Sequence, residues 1–202
     1  MIGAKLCSLV GWEAALTVAT IFIDMQVDFF SPHPRLTRNR PKLTANVNAL
    51  AAIARRNGSR VIWVKQVFAT DLHDAPLDVK RGGHRIVIEG TDGAKLLSEI
   101  EVGPSDSILI KKRYSAFFGT NLDSILDGLA CKRIVVAGVN THACVRATVI
   151  DAYQRDYDVL LAQDCIDSHD EQHHSISMRY MDGKLGVAMT NNQLDTEFRK
   201  ET

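Results

Sequence analysis

The chain has 202 residues, 24 Lys and Arg against 24 Asp and Glu, and 46% hydrophobic residues. That is enough for one domain with a sizeable core, and a formal net charge of +0 gives no electrostatic footing for nucleic acid or an anionic membrane as a partner. Its 4 cysteines (Cys7, Cys131, Cys144, Cys165) are widely spaced with no CxxC pair. This is neither a zinc pattern nor a secreted disulfide framework, and the expected setting is reducing and cytoplasmic.

Residues 1–15 read as a short N-terminal extension. Lys5 and Glu13 interrupt it too early for a signal peptide, and no apolar run along the chain is long enough to span a bilayer. A single domain is expected over 16–202. Residues 17–24 (TVATIFID) form a continuous apolar run, suited to a strand covered on both faces, and are followed by a proline-bearing loop over 31–41. Leu43, Val47, Leu50, Ile53 and Ala54 recur at helical spacing over 42–57, with Gly58 as the stop. Residues 60–67 read as a second strand, 68–90 as a long irregular segment of the kind that forms lids or binding loops, and 91–100 as a short helix. A third strand is expected over 107–111 and a helix from Thr120 to about Leu129.

The β-branched run Ile134 to Ala137 then meets Gly138. After a few small or polar residues a helix follows, carrying Ala147, Val149, Ile150 and Tyr153 as its apolar positions. Cys144 falls in that helix's first turn, where unpaired N–H groups favour a thiolate, although a small buried cysteine is the common alternative. Residues 158–163 read as a fifth strand. The pattern Ser168-His169-Asp170-Glu171 opens a helix through about Met181, and 185–190 is a final edge strand. Strands alternating with helices imply a three-layer α-β-α, Rossmann-like fold, with a mainly parallel sheet of about six strands and helices on both faces.

Asp24 ends the first strand, Lys111 the third, and Cys144 follows the fourth. In a parallel sheet those ends share the carboxyl edge, where open α/β folds build their sites. An acid, an amine and a thiol are the parts of an activated-nucleophile site. Lys112 competes with Lys111, but strand alternation turns the two to opposite faces.

Three motifs carry a resemblance. They are Ile23-Asp24-Met25-Gln26 with Asp28-Phe29, then Lys111 with Arg113-Tyr114-Ser115-Ala116-Phe117 and Gly119-Thr120, and last Gly138-Val139-Asn140-Thr141 with Cys144-Val145 and Asp151-Ala152-Tyr153. From about Leu16 to Met189 the chain resembles the isochorismatase-like cysteine hydrolases, among them nicotinamidases, N-carbamoylsarcosine amidase, biuret hydrolase and ureidoacrylate hydrolase. The resemblance implies a triad of Asp24, Lys111 and Cys144, with Lys111 chosen by its distance from Tyr114-Ser115. It also implies a cis peptide at Val139–Asn140 and an oxyanion hole from the backbone N–H groups of Asn140 and Cys144. Asn140 itself departs from the usual Ala or Thr, and its side chain is expected either to reach substrate or to brace the turn.

The reaction so implied is hydrolysis of a small amide, ureide or N-carbamoyl compound through a thioester, with Lys111 lowering the thiol pKa. The alternatives are a vinyl-ether-cleaving isochorismatase and a catalytically silent ligand-binding or redox-sensing member. Gln26, Phe29, Tyr114 and Phe117 are the candidate substrate contacts, with Trp63 a weaker one. Asp71-Leu72-His73 lies too far into its loop to match the metal ligands of nicotinamidases. His169 and His173, four apart, read as a solvated capping turn. No metal and no cofactor is expected. By analogy with the family, the partners are a small-molecule substrate and further copies of the chain, as a dimer or tetramer.

Overall fold

A computed structural model describes residues 17–200; the expected N-terminal extension and Cys7 lie outside them. Six strands form one sheet: β1 (Val18–Ile23), β2 (Arg60–Gln66), β3 (Ser107–Lys111), β4 (Arg133–Gly138), β5 (Asp158–Ile166) and β6 (Val187–Met189). Their order is β3-β2-β1-β4-β5-β6 and every pairing is parallel. The chain thus moves outward from β1 on one side, returns, and continues from β4 on the other. The switch point lies between β1 and β4, the place where open α/β sheets bind ligands at their carboxyl ends.

Alternation along the strands sorts the core into two layers. On one face Val18, Phe22, Trp63, Val135, Ala137 and Leu160 pack with Leu43, Val47, Leu50 and Ala54 of α2 (Pro34–Arg56), and with Leu194 and Phe198 of α7 (Asn191–Lys200). On the other, Ala19, Ile21, Ile62, Val64, Ile134 and Val136 meet Leu122 and Leu126 of α4 (Leu122–Gly128), Val149 and Ala152 of α5 (Arg146–Tyr153), and Met181 of α6 (Glu171–Met181). This is the three-layer α-β-α arrangement expected from the strand–helix alternation.

Several boundaries differ from expectation. α2 begins at Pro34, inside the segment read as a loop, because Pro34 occupies the helix's first turn, where its missing N–H costs nothing. Pro41 lies within the same helix, whose face from Leu36 to Ala54 is buried deeply enough to absorb one lost hydrogen bond. The expected helix over 91–100 shrinks to one 3₁₀ turn, Asp92–Ala94, while the irregular segment contains α3 (Leu77–Gly82). β5 runs on to Ile166. α6 is capped by Asp170, whose carboxylate accepts from His173 N at 2.7 Å, and not by Ser168. α7 went unread because it carries only one i, i+4 apolar pair, Leu194 and Phe198, in a polar segment. α1 (Val27–Phe30) is a single turn after β1.

Candidate active site

The backbone delivers the acid by turning sharply at the end of β1. Asp24 has φ +54°, a left-handed conformation Asp tolerates better than most residues, and its N–H is held by Val64 O at 2.9 Å. On the neighbouring strand Gly138 has φ +112°, and a Cβ there would lie 2.0 Å from Ile23 O. Glycine at this point lets β4 press against β1 just below the site. Beyond it the Val139–Asn140 peptide is cis, and a wide π-type turn, Thr141–Val145, leads into α5 with Cys144 on its inner side.

Asp24, Lys111 and Cys144 converge. The Lys111 ammonium lies 2.8 Å from Asp24 Oδ2, donates to Cys144 Sγ at 3.4 Å and donates to the Arg113 carbonyl at 3.1 Å. Asp24 and Lys111 are fully buried and Cys144 is 3% exposed. Lys112 turns the other way, as alternation requires, and pairs with Asp74 at 2.6 Å. The Asp24–Lys111 contact is a buried ion pair. Lys111, Cys144 and the Gln66 backbone are the polar groups that face the Asp24 carboxylate.

Burial sets the charge state. It raises the Asp24 carboxyl above the ordinary carboxylate range, and the Lys111 charge only partly offsets this. Burial opposes the Lys111 ammonium, yet the Asp24 and Cys144 charges outweigh it and hold the lysine above its usual value. Burial and then the Asp24 carboxylate push the Cys144 thiol well up, more than Lys111 pulls it down. The sequence-based expectation of a thiol lowered by Lys111 is therefore corrected. Burial first, and then the neighbouring Asp24 carboxylate, outweigh the lysine, so the net direction for the Cys144 thiol is upward.

The pieces are cross-braced. Thr148 Oγ1 donates to Cys144 O at 2.8 Å and accepts from Ala116 N at 3.0 Å, tying the Cys144 turn to the segment after β3. Gln26 is fully buried and spends its amide on the backbone, donating to Gln66 O at 2.8 Å and Ala94 O at 3.0 Å and accepting from Gln66 N at 2.7 Å. Phe29 is half-buried and packs against both the α2-side core and the small cluster around Phe68 and Val87. Phe117 is 3% exposed and stacks on Tyr157 at 5.9 Å, turned inward. Its neighbour Phe118 is 63% exposed. With Tyr114, Ser115, Arg113, Pro76 and Asp78 it lines a cavity of about 450 Å³ just past the end of β3, whose walls include none of Asp24, Lys111 and Cys144. Sequence reading missed Phe118 because two adjacent phenylalanines give no signal of which one faces out. Trp63 is core, stacked on Phe22 at 4.4 Å.

Asp71 and His73 pair at 2.7 Å, both exposed. Among the described residues no three His, Cys, Asp or Glu side chains are grouped so as to hold a metal ion. No helix of the described residues is long and apolar enough to cross a membrane.

Comparison with known proteins places these features in context. The isochorismatase domain model matches residues 18–193. A probable inactive nicotinamidase of Arabidopsis thaliana is 34% identical over 145 residues, covering 69% of this chain and 74% of that protein. Among solved structures, an isochorismatase family protein from Desulfovibrio vulgaris superposes with a TM-score of 0.81 at 26% identity, covering 91% of this chain and 99% of that one. The N-carbamoylsarcosine amidase of Thermoplasma acidophilum does so with a TM-score of 0.73 at 27% identity, covering 88% and 98%.

Proposed function

This chain belongs to the isochorismatase family, and on that premise we propose that it is a cysteine-dependent hydrolase acting on a C–N bond of a small amide, ureide or N-carbamoyl compound. The observation that carries the reading is the convergence of Asp24, Lys111 and Cys144 in a buried site at the sheet's switch point. In the proposed reaction Asp24 takes the Cys144 proton as Sγ attacks the carbonyl carbon. The negative charge moves to the carbonyl oxygen, which the N–H groups of Asn140 and Cys144 receive. The Asn140 amide is available for this, since no described group accepts its hydrogen bond. Protonated Asp24 then gives its proton to the departing nitrogen, leaving an acyl thioester. A water, deprotonated by Asp24, releases the acid and restores the thiol. Lys111 stays charged throughout, and its charge favours the ionised form of Asp24 against the burial that raises the carboxyl.

Deprotonation concerted with attack suits a resting thiol, because the charge on sulfur never has to persist. The apolar walls Tyr114 and Phe118, together with Pro76, fit a small planar acyl or leaving group. A silent member of the family is the second reading, favoured by the relative described as probably inactive; a complete Asp–Lys–Cys set in mutual contact weighs against it here. The test is a panel of nicotinamide, biuret, N-carbamoyl amino acids and ureidoacrylate, following ammonia or amine release by wild type and Cys144→Ala. Release by wild type alone is expected. Equal release by both proteins would refute the reading.

A further inference from the structure

The oxyanion turn is held from outside itself. Three consecutive side chains are tied to the same region: Asn140 and His142 bond to the segment joining β5 to α6, and Thr141 bonds to the first turns of α6 itself. Asn140 Oδ1 accepts from the His169 backbone N–H at 3.0 Å and from the His169 ring Nδ1 at 3.1 Å. Thr141 Oγ1 lies 2.7 Å from His174 Nδ1, and His142 Nδ1 lies 2.7 Å from Ser168 Oγ. The Thr141 N–H donates to Asp167 O at 3.0 Å. Asp167 is itself clamped from α2, by Arg35 and by Asn39 Nδ2 at 2.8 Å.

His169 is the most constrained member. One face of its ring stacks on His33 at 4.4 Å with planes 17° apart, and His142 meets it nearly edge-on at 5.0 Å. The orientation of the Asn140 amide is not arbitrary: a backbone N–H can only donate, so the atom receiving it is the oxygen. The same oxygen receives His169 Nδ1, which must therefore carry the proton. Burial, with the neighbouring imidazoles, lowers the His169 pKa, in keeping with a neutral ring of that one tautomer.

We propose that His169 is a positioning residue for the oxyanion hole: by gripping the Asn140 side chain it fixes the Asn140 backbone amide at the place where carbonyl charge develops. The proposal rests on the hydrolase reading above and adds to it a residue that touches neither substrate nor triad. Because the oxyanion exists only in the transition state, loosening its donor lowers kcat and leaves KM nearly unchanged. It also explains the asparagine at 140, whose oxygen alanine cannot supply.

The test joins a tautomer measurement to kinetics. Nitrogen–proton correlation spectra of full-length wild type should show His169 as the Nδ1–H form, and Asn140→Ala should lose that assignment. With 4-nitrophenyl acetate as an activated acyl donor and Cys144→Ala as the blank, His169→Ala should lower kcat about 10-fold at constant KM. His169→Asn, whose side-chain N–H stands where Nδ1–H stood, should recover most of the loss. Asn140→Ala combined with His169→Ala should be no slower than Asn140→Ala alone. An Nε2–H tautomer, a His169→Ala kcat within twofold of wild type, a loss residing in KM, or failure of His169→Asn to rescue would each overturn the proposal. Wild type reacting no faster than Cys144→Ala would overturn the hydrolase reading and the positioning role with it. The tautomer spectrum tells that failure apart from a failure of the His169 contact alone.

Discussion

In the proposed reaction Asp24 is the residue on which the chemistry turns, because it handles both the thiol proton and the leaving-group proton. Its carboxylate is one reason the Cys144 thiol sits so high. Removing that charge should leave Lys111 unopposed beside the sulfur. Asp24→Asn is therefore expected to cut turnover by about 10²–10⁴ for want of a base, and yet to shift the thiol titration downward. Thiolate absorbance near 240 nm, followed against pH in wild type and variant, reads this directly; an unchanged or higher thiol midpoint in Asp24→Asn would contradict it. The same burial sets the acid limb of activity. The proposed reaction needs Asp24 ionised in the free enzyme, and its carboxyl is raised above the ordinary value. Hence kcat/KM should fall on acidification at a midpoint above the usual carboxylate pKa of about 4. A midpoint at or below 4 would show that Asp24 is not the base.

At the scale of elements, the site depends on how strand ends meet. Gly138 is where β4 comes within a methyl's reach of β1, with Ile23 O 2.0 Å from any added Cβ and φ at +112°. Gly138→Ala should cost more than about 3 kcal/mol and yield little folded protein, as judged by circular dichroism. Thr148 binds the Cys144 turn to the segment that follows β3. Thr148→Val keeps the shape but leaves Ala116 N without its acceptor, so a loss of about 1–2 kcal/mol in denaturant unfolding is expected. The elements were legible in the sequence where a face or a motif repeated. The five longer strands and the α2 face from Leu43 to Ala54 announced themselves by continuous or periodic apolar runs. α7 did not, since two anchors in ten residues give no period, and the start of α2 was hidden because its prolines imitate a loop.

The meeting of Asp24, Lys111 and Cys144 was legible for a different reason. Strand ends of a parallel sheet share one edge, and the resemblance to a known family singled out the same three residues. What sequence could not supply was the surroundings. Nothing in Phe117-Phe118 says that the first is core and the second lines the cavity. Nothing in Gln26 says that its amide is wholly spent on Gln66 and Ala94. The thiol's charge state follows from burial, which depends on every element around it.

Across the whole molecule, one polar tie joins α2, β2 and the loop before β3 well away from the site. Arg55 clasps Asp106 through Nε at 3.0 Å and Nη2 at 2.6 Å, and Trp63 Nε1 and Gly103 N add donors at 2.8 Å each. Burial alone would raise the Asp106 carboxyl, but these donors outweigh it and hold the group below its ordinary value. A carboxylate depressed in the folded state stabilises fully above its unfolded pKa of about 3.9, and that contribution fades as pH falls through the folded value. Asp106→Asn should therefore cost about 2–3 kcal/mol at neutral pH, and its deficit relative to wild type should shrink in the range below pH 4. Urea unfolding at pH 7 and pH 3 measures both; a deficit that grew toward acid would reverse the assignment.

The most direct measurement of the central claim is intact-protein mass spectrometry after rapid acid quench, during turnover of whichever amide releases ammonia. The account predicts a mass increase equal to the acyl group, mapped to Cys144 by peptide digestion, absent from Cys144→Ala and from unreacted protein. Sustained turnover by Cys144→Ala, or an acyl group carried on any other side chain, would contradict it.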